Sequence, residues 1–229
     1  MNEQEYIRRK SIITKFRRRF QLTYPLNEKG YLVAVSGGAD SVAALVLLKE
    51  HFHKDVTVVH FHHGTENCEA AYQFICERYP DANIGRIRGE KGKNESQQDF
   101  WRVERMHFLM EMSRSMGAKV ILGHNLDDVG ETWLNSAING KPKLIPASYG
   151  PNHEIIRPFL CVKKEEFRSF LEDIKEPYFE CPSNQDLKYT RNFIRHKIMP
   201  EVVKMNGGGF LSTMRNMLIT RLHESKEYC

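Results

Sequence analysis

The chain has 229 residues, 41 % hydrophobic and 28 % charged, with five cysteines and a formal net charge of +5. This length accommodates one large domain with a full core, and the composition is that of an ordinary globular protein, which excludes collagen-like, disordered and membrane-embedded classes. No apolar run approaches the roughly 18 residues of a membrane span, the charged N-terminus carries no signal-peptide core, and no cysteine pair has C-x-x-C spacing, so a reducing cytoplasmic setting is expected, without disulfides, zinc or iron–sulfur clusters.

The surplus charge is concentrated in residues 1–20, where Arg8, Arg9, Lys10, Lys15, Arg17, Arg18 and Arg19 face only Glu3 and Glu5. Ile12, Ile13, Phe16 and Phe20 are interleaved at helical spacing, which predicts a basic helix with one core-facing side. A basic patch on a neutral body suits a polyanion such as nucleic acid. Tyr31–Val35 reads as a strand ending at a glycine pair, followed by the helical pattern Val42–Leu48. Next come a strand at Asp55–Phe61, a helix at Cys68–Glu77, a weaker strand at Asn83–Ile87 and an amphipathic helix at Trp101–Met116. Lys119–Leu122 reads as a strand and Val129–Ile138 as a helix. Gly, Pro, Lys and Asn between Asn139 and Glu154 predict a long loop. Helices follow at Lys163–Asp173 and Lys188–Lys204, divided by a turn at Pro182-Ser183-Asn184, and Gly207-Gly208-Gly209 leaves a short helical tail. Strands alternating with helices build βαβ units, so the expected class is α/β, a Rossmann-like parallel sheet with helices on both faces and a short helical C-terminal extension.

Ser36-Gly37-Gly38-Ala39-Asp40-Ser41 sits between an apolar strand and an apolar helix, where open α/β sheets bind ligands. Two glycines allow a tight turn that presents backbone N–H groups to an anion, and the following helix adds its positive dipole end. Ser36 and Ser41 offer hydroxyls, and Asp40 is suited to a magnesium ion bridging phosphates. No Gly-Lys-Ser/Thr follows, so this is not a Walker loop. The plain alternative is a glycine-rich turn with Asp40 capping the helix.

Farther along, Asp128 and Glu131 are three apart at a helix start, so both acids can face one cleft and hold a cation, or else cap the helix and compensate its dipole. Arg102 and Arg105 on one side of a helix suit a carboxylate. Arg191 and Arg195, with Lys188 and Lys197 nearby, form a basic stripe suited to phosphates.

The hexapeptide resembles the PP-loop family, also called N-type ATP pyrophosphatases, and the segment 30–160 is similar to their catalytic domain, with 1–29 a basic helix and 161–229 a helical part. Four further stretches resemble the tRNA(Ile)-lysidine synthetases in order. His60-Phe61-His62-His63-Gly64 is similar to H-x-N-H-G, and Trp101-Arg102-Val103-Glu104-Arg105 to A-R-x-x-R. His124–Thr132 is similar to H-x-x-D-D-x-x-E-T, and Pro182–Pro200 to a P-S-N-x-D-x-x-Y-x-R-N-x-x-R block. His62, Thr65, Glu66 and Cys181 depart from the usual residues.

The resemblance implies ATP cleaved between its α and β phosphates, bound by Ser36 to Ser41, His63, Gly64 and His124, with magnesium on Asp40. It implies free L-lysine bound by Arg102, Arg105, Asp128 and Glu131, with Asp40, Asp128 and Glu131 as catalytic acids. A lysine amine is neutral in only about one part in a thousand near neutral pH, so one acid must take its proton. The tRNA anticodon loop would meet Arg17, Arg18, Arg19, Lys188, Arg191, Asn192, Arg195 and Lys197. Longer family members carry extra C-terminal domains that grip tRNA, so those basic groups or a second subunit in a homodimer would substitute. Cytidine 2-thiolation, and nucleotide or tRNA binding without turnover, are the alternatives.

Overall fold

The computed structural model describes residues 2–18, 21–93, 95–205 and 207–224. Helix α1 spans Glu3–Arg17 and is followed by strand β1 at Gly30–Ala34 and helix α2 at Ala39–Val46, which continues as π-helix over Leu47–His51. β2 covers Asp55–His62, α3 Glu66–Arg78, β3 Asn83–Arg86, α4 Gln97–Met116, β4 Val120–Leu122 and α5 Leu126–Ile138. The short strands β5 (Ser148–Tyr149) and β6 (Ile155–Ile156) precede α6 at Lys164–Asp173. A 3-10 turn at Pro182–Gln185 leads to α7 (Thr190–Phe193), a π-helical Ile194–Ile198, α8 (Met199–Met205) and α9 (Gly209–Glu224).

The strands form one sheet in the order β3-β2-β1-β4-β6-β5, parallel throughout except for the antiparallel β5–β6 pair. The fold class is therefore the expected one. β1 reads as an unbroken apolar run because Tyr31, Leu32 and Val33 are buried, as central parallel strands are on both faces. The Asn139–Glu154 segment is not all loop: β5 lies within it, and β6 follows at once. Two-residue strands carry no measurable alternation, and here they sit among turn residues such as Pro146 and Gly150, so their pairing is set by the sheet rather than by local pattern.

Helix starts shift outward wherever a polar cap hides them. Ser96 accepts the Asp99 N–H and starts α4 four residues before the apolar pattern does. Asn125 and Asp128 form a reciprocal capping box that opens α5 at Leu126.

The core has three parts. One packs α1, α2 and α6 on one sheet face, another packs α4 on the opposite face, and the third joins α5 to α8 and α9. Ile13 and Phe16 enter the first core, with Phe16 stacked 4.6 Å from Phe170, so α1 packs by its apolar side. Phe20, Arg19 and the Arg17 side chain lie outside the described residues. Arg9 is not part of a free basic surface. Its guanidinium donates to Glu50 and Glu176, each at 2.7 Å, and to the Ile174 carbonyl at 3.0 Å. Arg78 pairs with the other oxygen of Glu176.

Candidate active site

At the carboxyl ends of β1, β2 and β4 lies a cleft of about 180 Å³, lined by Ser36, Asp40, Ser41, His63, Arg105, His124 and Asp128 among others. Its floor is the glycine-rich turn. Gly37 has φ +89°, a left-handed conformation that glycine adopts without strain. Ser41 Oγ accepts the Ser36 N–H at 3.1 Å and donates to the Gly38 carbonyl at 2.9 Å, tying the turn to the first turn of α2. Helix geometry leaves the N–H groups of the cap and first two residues, Gly38, Ala39 and Asp40, without helical carbonyl partners, so they form an anion cradle. The backbone of Phe179 donates to the Gly37 carbonyl at 2.9 Å, so the segment after α6 straps the turn from outside.

Asp40 stands at the edge of this cradle. Burial, with the nearby Asp128 charge adding, pushes its carboxyl up to about 6. Its Oδ1 is buried with no hydrogen-bond partner among the described residues. Such an oxygen fits the magnesium that the resemblance implies, because magnesium takes one or two carboxylates and completes its shell with phosphates and water. No group of three His, Cys, Asp or Glu among the described residues forms a protein-only metal site.

The walls carry the imidazoles of His60, His63 and His124 and one arginine, Arg105, with Arg157 behind His124. Burial, with Arg105 next, lowers His63 to about 4, and its ring packs 5.6 Å from Trp101. Burial and Arg157 lower His124 to about 3. Arg157 Nε donates to His124 Nδ1 at 3.2 Å. An arginine only donates, so His124 Nδ1 is an acceptor and the neutral ring keeps its proton on Nε2. His124 is thereby a hydrogen-bond donor without positive charge. Arg105 lines the cleft with its Nε buried and unpartnered among the described residues.

Asp128 and Glu131 enter from α5, and both are buried. Arg191 and Arg195 reach them from α7 and the π-helical segment. Arg191 donates to Asp128 at 2.8 Å and to Glu131 at 3.1 Å. Arg195 donates to Glu131 at 2.6 and 2.9 Å and to Asp128 at 3.3 Å. Burial would raise the Asp128 carboxyl, but the charges of Arg191 and Arg195 and the Asn125 N–H outweigh it and hold it well below the usual carboxylate range. Asp127, next to Asp128 in the chain, accepts the Lys164 N–H at 2.8 Å, joining α5 to α6.

A PP-loop domain model matches residues 12–202, most of the chain. The chain belongs to the PP-loop family. Curated tRNA(Ile)-lysidine synthases are similar to this PP-loop protein. The one from Staphylococcus aureus (strain MRSA252) is 33 % identical over 203 residues, covering 79 % of this chain and 47 % of its own length. The one from Thermotoga sp. (strain RQ2) is 32 % identical over 190 residues, covering 76 % and 45 %. The chain thus spans about half the length of the curated relatives it matches. Among solved structures, the U34-tRNA thiolase NcsA from Methanococcus maripaludis, with its 4Fe-4S cluster, shares the fold at a TM-score of 0.69. It is 18 % identical, over 96 % of this chain and 80 % of that one. No helix among the described residues is long and apolar enough to cross a membrane.

Within this PP-loop protein the motif residues separate into three settings. Ser36, Asp40, Ser41, His63, Arg105, His124 and Asp128 line one cleft. Arg102 does not join Arg105 there: it is exposed and pairs with Asp99 at 3.3 Å. Arg191 and Arg195, expected as a stripe facing phosphates, turn their guanidiniums onto the buried acids instead, since two unpaired carboxylates there would be costly. Asn192 donates to the Asp186 carbonyl at 2.9 Å, holding the turn that displays the exposed Lys188. Gly64 is exposed with φ +71° and donates its N–H to His62 Nδ1 at 3.1 Å. Arg18 and Lys197 are exposed.

Two contributors were not foreseen. Arg157 has no motif around it, and its buried place follows only from β6 delivering it beside His124. Gly123 was legible as a strand end, but not as the point where α2 touches β4: an added Cβ would lie 2.6 Å from the Asp40 carbonyl oxygen.

Proposed function

We propose that the chain adenylates the cytidine at the first anticodon position of the minor isoleucine tRNA with ATP, then replaces AMP by lysine to form lysidine. The observation that carries this reading is the convergence on one cleft of a glycine-rich anion cradle, a carboxylate with one unpartnered oxygen, a buried arginine and Asp128, through which the acid–arginine quartet reaches the cleft. Its similarity to lysidine synthases across the same stretch supports the choice among PP-loop chemistries.

In the first step the cytosine carbon-2 oxygen attacks the α phosphorus and pyrophosphate leaves. The amides of Gly38, Ala39 and Asp40 hold the departing phosphates, while Arg105 and the His124 Nε2–H stabilise the charge that develops on the transferred group. A magnesium ion on Asp40 would supply further neutralisation of the phosphates when bound.

In the second step the lysine ε-amine attacks carbon 2, the bond to AMP breaks, and the amine proton passes to an acid. Asp128 and Glu131, each paired with both arginines, anchor the ammonium, and one of the two takes the proton. Lysine enters by displacing a guanidinium, and Arg191 is the one that yields, its side chain being 46 % exposed against 20 % for Arg195. Arg105 rather than Arg102 receives the lysine carboxylate.

Incubation of the full chain with ATP, lysine and the isoleucine tRNA, followed by mass spectrometry of the nucleosides, tests this directly. Lysidine is the expected product. Thiocytidine or unchanged cytidine would overturn the assignment.

A further inference from the structure

Along α4, Trp101, Arg105 and Leu109 recur every four residues and share one helix face. Arg105 and Leu109 both line the cleft. α4 precedes the parallel strand β4, so its N-terminus points to the same sheet end as the cleft. Trp101 therefore extends the stripe outward by about one helical turn, about 5.4 Å, towards the mouth. It is half-buried, and its ring centroid lies 5.6 Å from that of His63 at an interplanar angle of 47°. It fills the first position of the helix motif, where the resembled pattern has alanine.

The cleft below already has apolar lining, Ala34, Val59, Phe61, Leu109 and Leu122, beside the anion cradle. A nucleotide held by its phosphates at Asp40 sets its base against that lining. A second planar base entering from solvent meets Trp101 first, and the neutral His63 edge beside it. Aromatic platforms bind single-stranded bases of any identity through their π-faces, and an anticodon loop offers unstacked bases.

We propose that Trp101 is the stacking platform for a base of the RNA substrate at the cleft mouth. This rests on the RNA-modifying reading above.

The test uses the full chain in a Trp133→Phe background, which leaves Trp101 as its one tryptophan. Trp133 packs edge-on against Phe210 at 5.9 Å, so phenylalanine preserves that contact. A synthetic anticodon stem–loop and ATP are titrated separately. Indole fluorescence should fall with the RNA and not with ATP. Trp101→Ala should weaken stem–loop binding about tenfold to a hundredfold while leaving ATP affinity unchanged, and Trp101→Phe should recover most of it.

Quenching by ATP alone would assign Trp101 to adenine and overturn the proposal. So would an alanine variant that binds the stem–loop like its parent, or one that loses ATP and RNA binding together, as a structural role requires. Flat fluorescence in a protein that forms lysidine overturns the stacking role alone. Quenching by RNA without any modified nucleoside supports the stacking role and overturns the lysidine reading instead. A parent that binds no RNA overturns both.

Discussion

Each charged side chain in the cleft takes its character from what surrounds it. Asp40 is the clearest case. Burial lifts its folded pKa to about 6, above the roughly 3.9 of an unfolded aspartate. The folded state thus binds this proton more tightly, so Asp40 contributes stability that is complete below about pH 4 and lost as pH rises through about 6. Asp40→Asn should therefore unfold at higher urea than the parent at pH 8, by on the order of 2 kcal/mol, and show no difference at pH 3.5. Equal stabilities at pH 8 would mean that the carboxylate is not desolvated. The quartet sets the opposite case. Arg195→Met leaves Glu131 buried with Arg191 as its remaining partner, and should cost on the order of 3 kcal/mol in urea unfolding. Arg191→Met, at a side chain 46 % exposed, should cost clearly less. Reversal of that order would show that the arginines do not divide the acids as the distances indicate.

At the scale of elements, the cleft depends on how closely β4 approaches the start of α2. A Cβ at Gly123 would lie 2.6 Å from the Asp40 carbonyl oxygen and 3.0 Å from Ser41 Cα. Both are backbone atoms, so the anion cradle itself must move to admit a methyl group. Gly123→Ala should fold but bind ATP at least about tenfold more weakly by titration calorimetry, equivalent to about 1.4 kcal/mol. Gly140→Ala is the control: φ is +73°, but an added Cβ meets nothing within 4 Å. It should lose about 1 kcal/mol of stability and no ATP affinity. If the two variants bound ATP alike, close backbone approach would not be what shapes the loop.

The same elements show what a one-dimensional reading captures. The apolar run of β1, the Ser36–Ser41 turn and the Asn125 cap are local patterns, and the strand–turn–helix order carried the fold class with them. Register across the sheet is not local. It is register that delivers Arg157 to His124, lets the two-residue β5 pair, and sends Asp127 to α6 while Asp128 turns to the cleft. Arg191 and Arg195 were legible as a basic pair; their partners, some sixty positions earlier, were not.

For the whole molecule, net charge overstates the cations available to a polyanion. Arg9 is spent on Glu50 and Glu176, and Arg191 and Arg195 on Asp128 and Glu131. Lys188 and Lys197 stay exposed, with no carboxylate within ion-pair distance among the described residues. Polyanion binding responds to cations that release counterions, each phosphate contact adding about 0.7–0.9 to the slope of log affinity against log salt. If both lysines contact the anticodon stem–loop, Lys188→Ala/Lys197→Ala should lower that slope by about 1.4–1.8. Arg9→Met removes the same unit charge from the formally most basic segment, yet it should leave the slope unchanged while destabilising the fold. Fluorescence anisotropy of a labelled stem–loop across a salt series measures both. A slope that follows formal charge, falling in the Arg9 variant by half as much as in the double lysine variant, would mean that long-range field rather than these lysines attracts the RNA. A slope unmoved by the lysine pair would shift the interface to other cations.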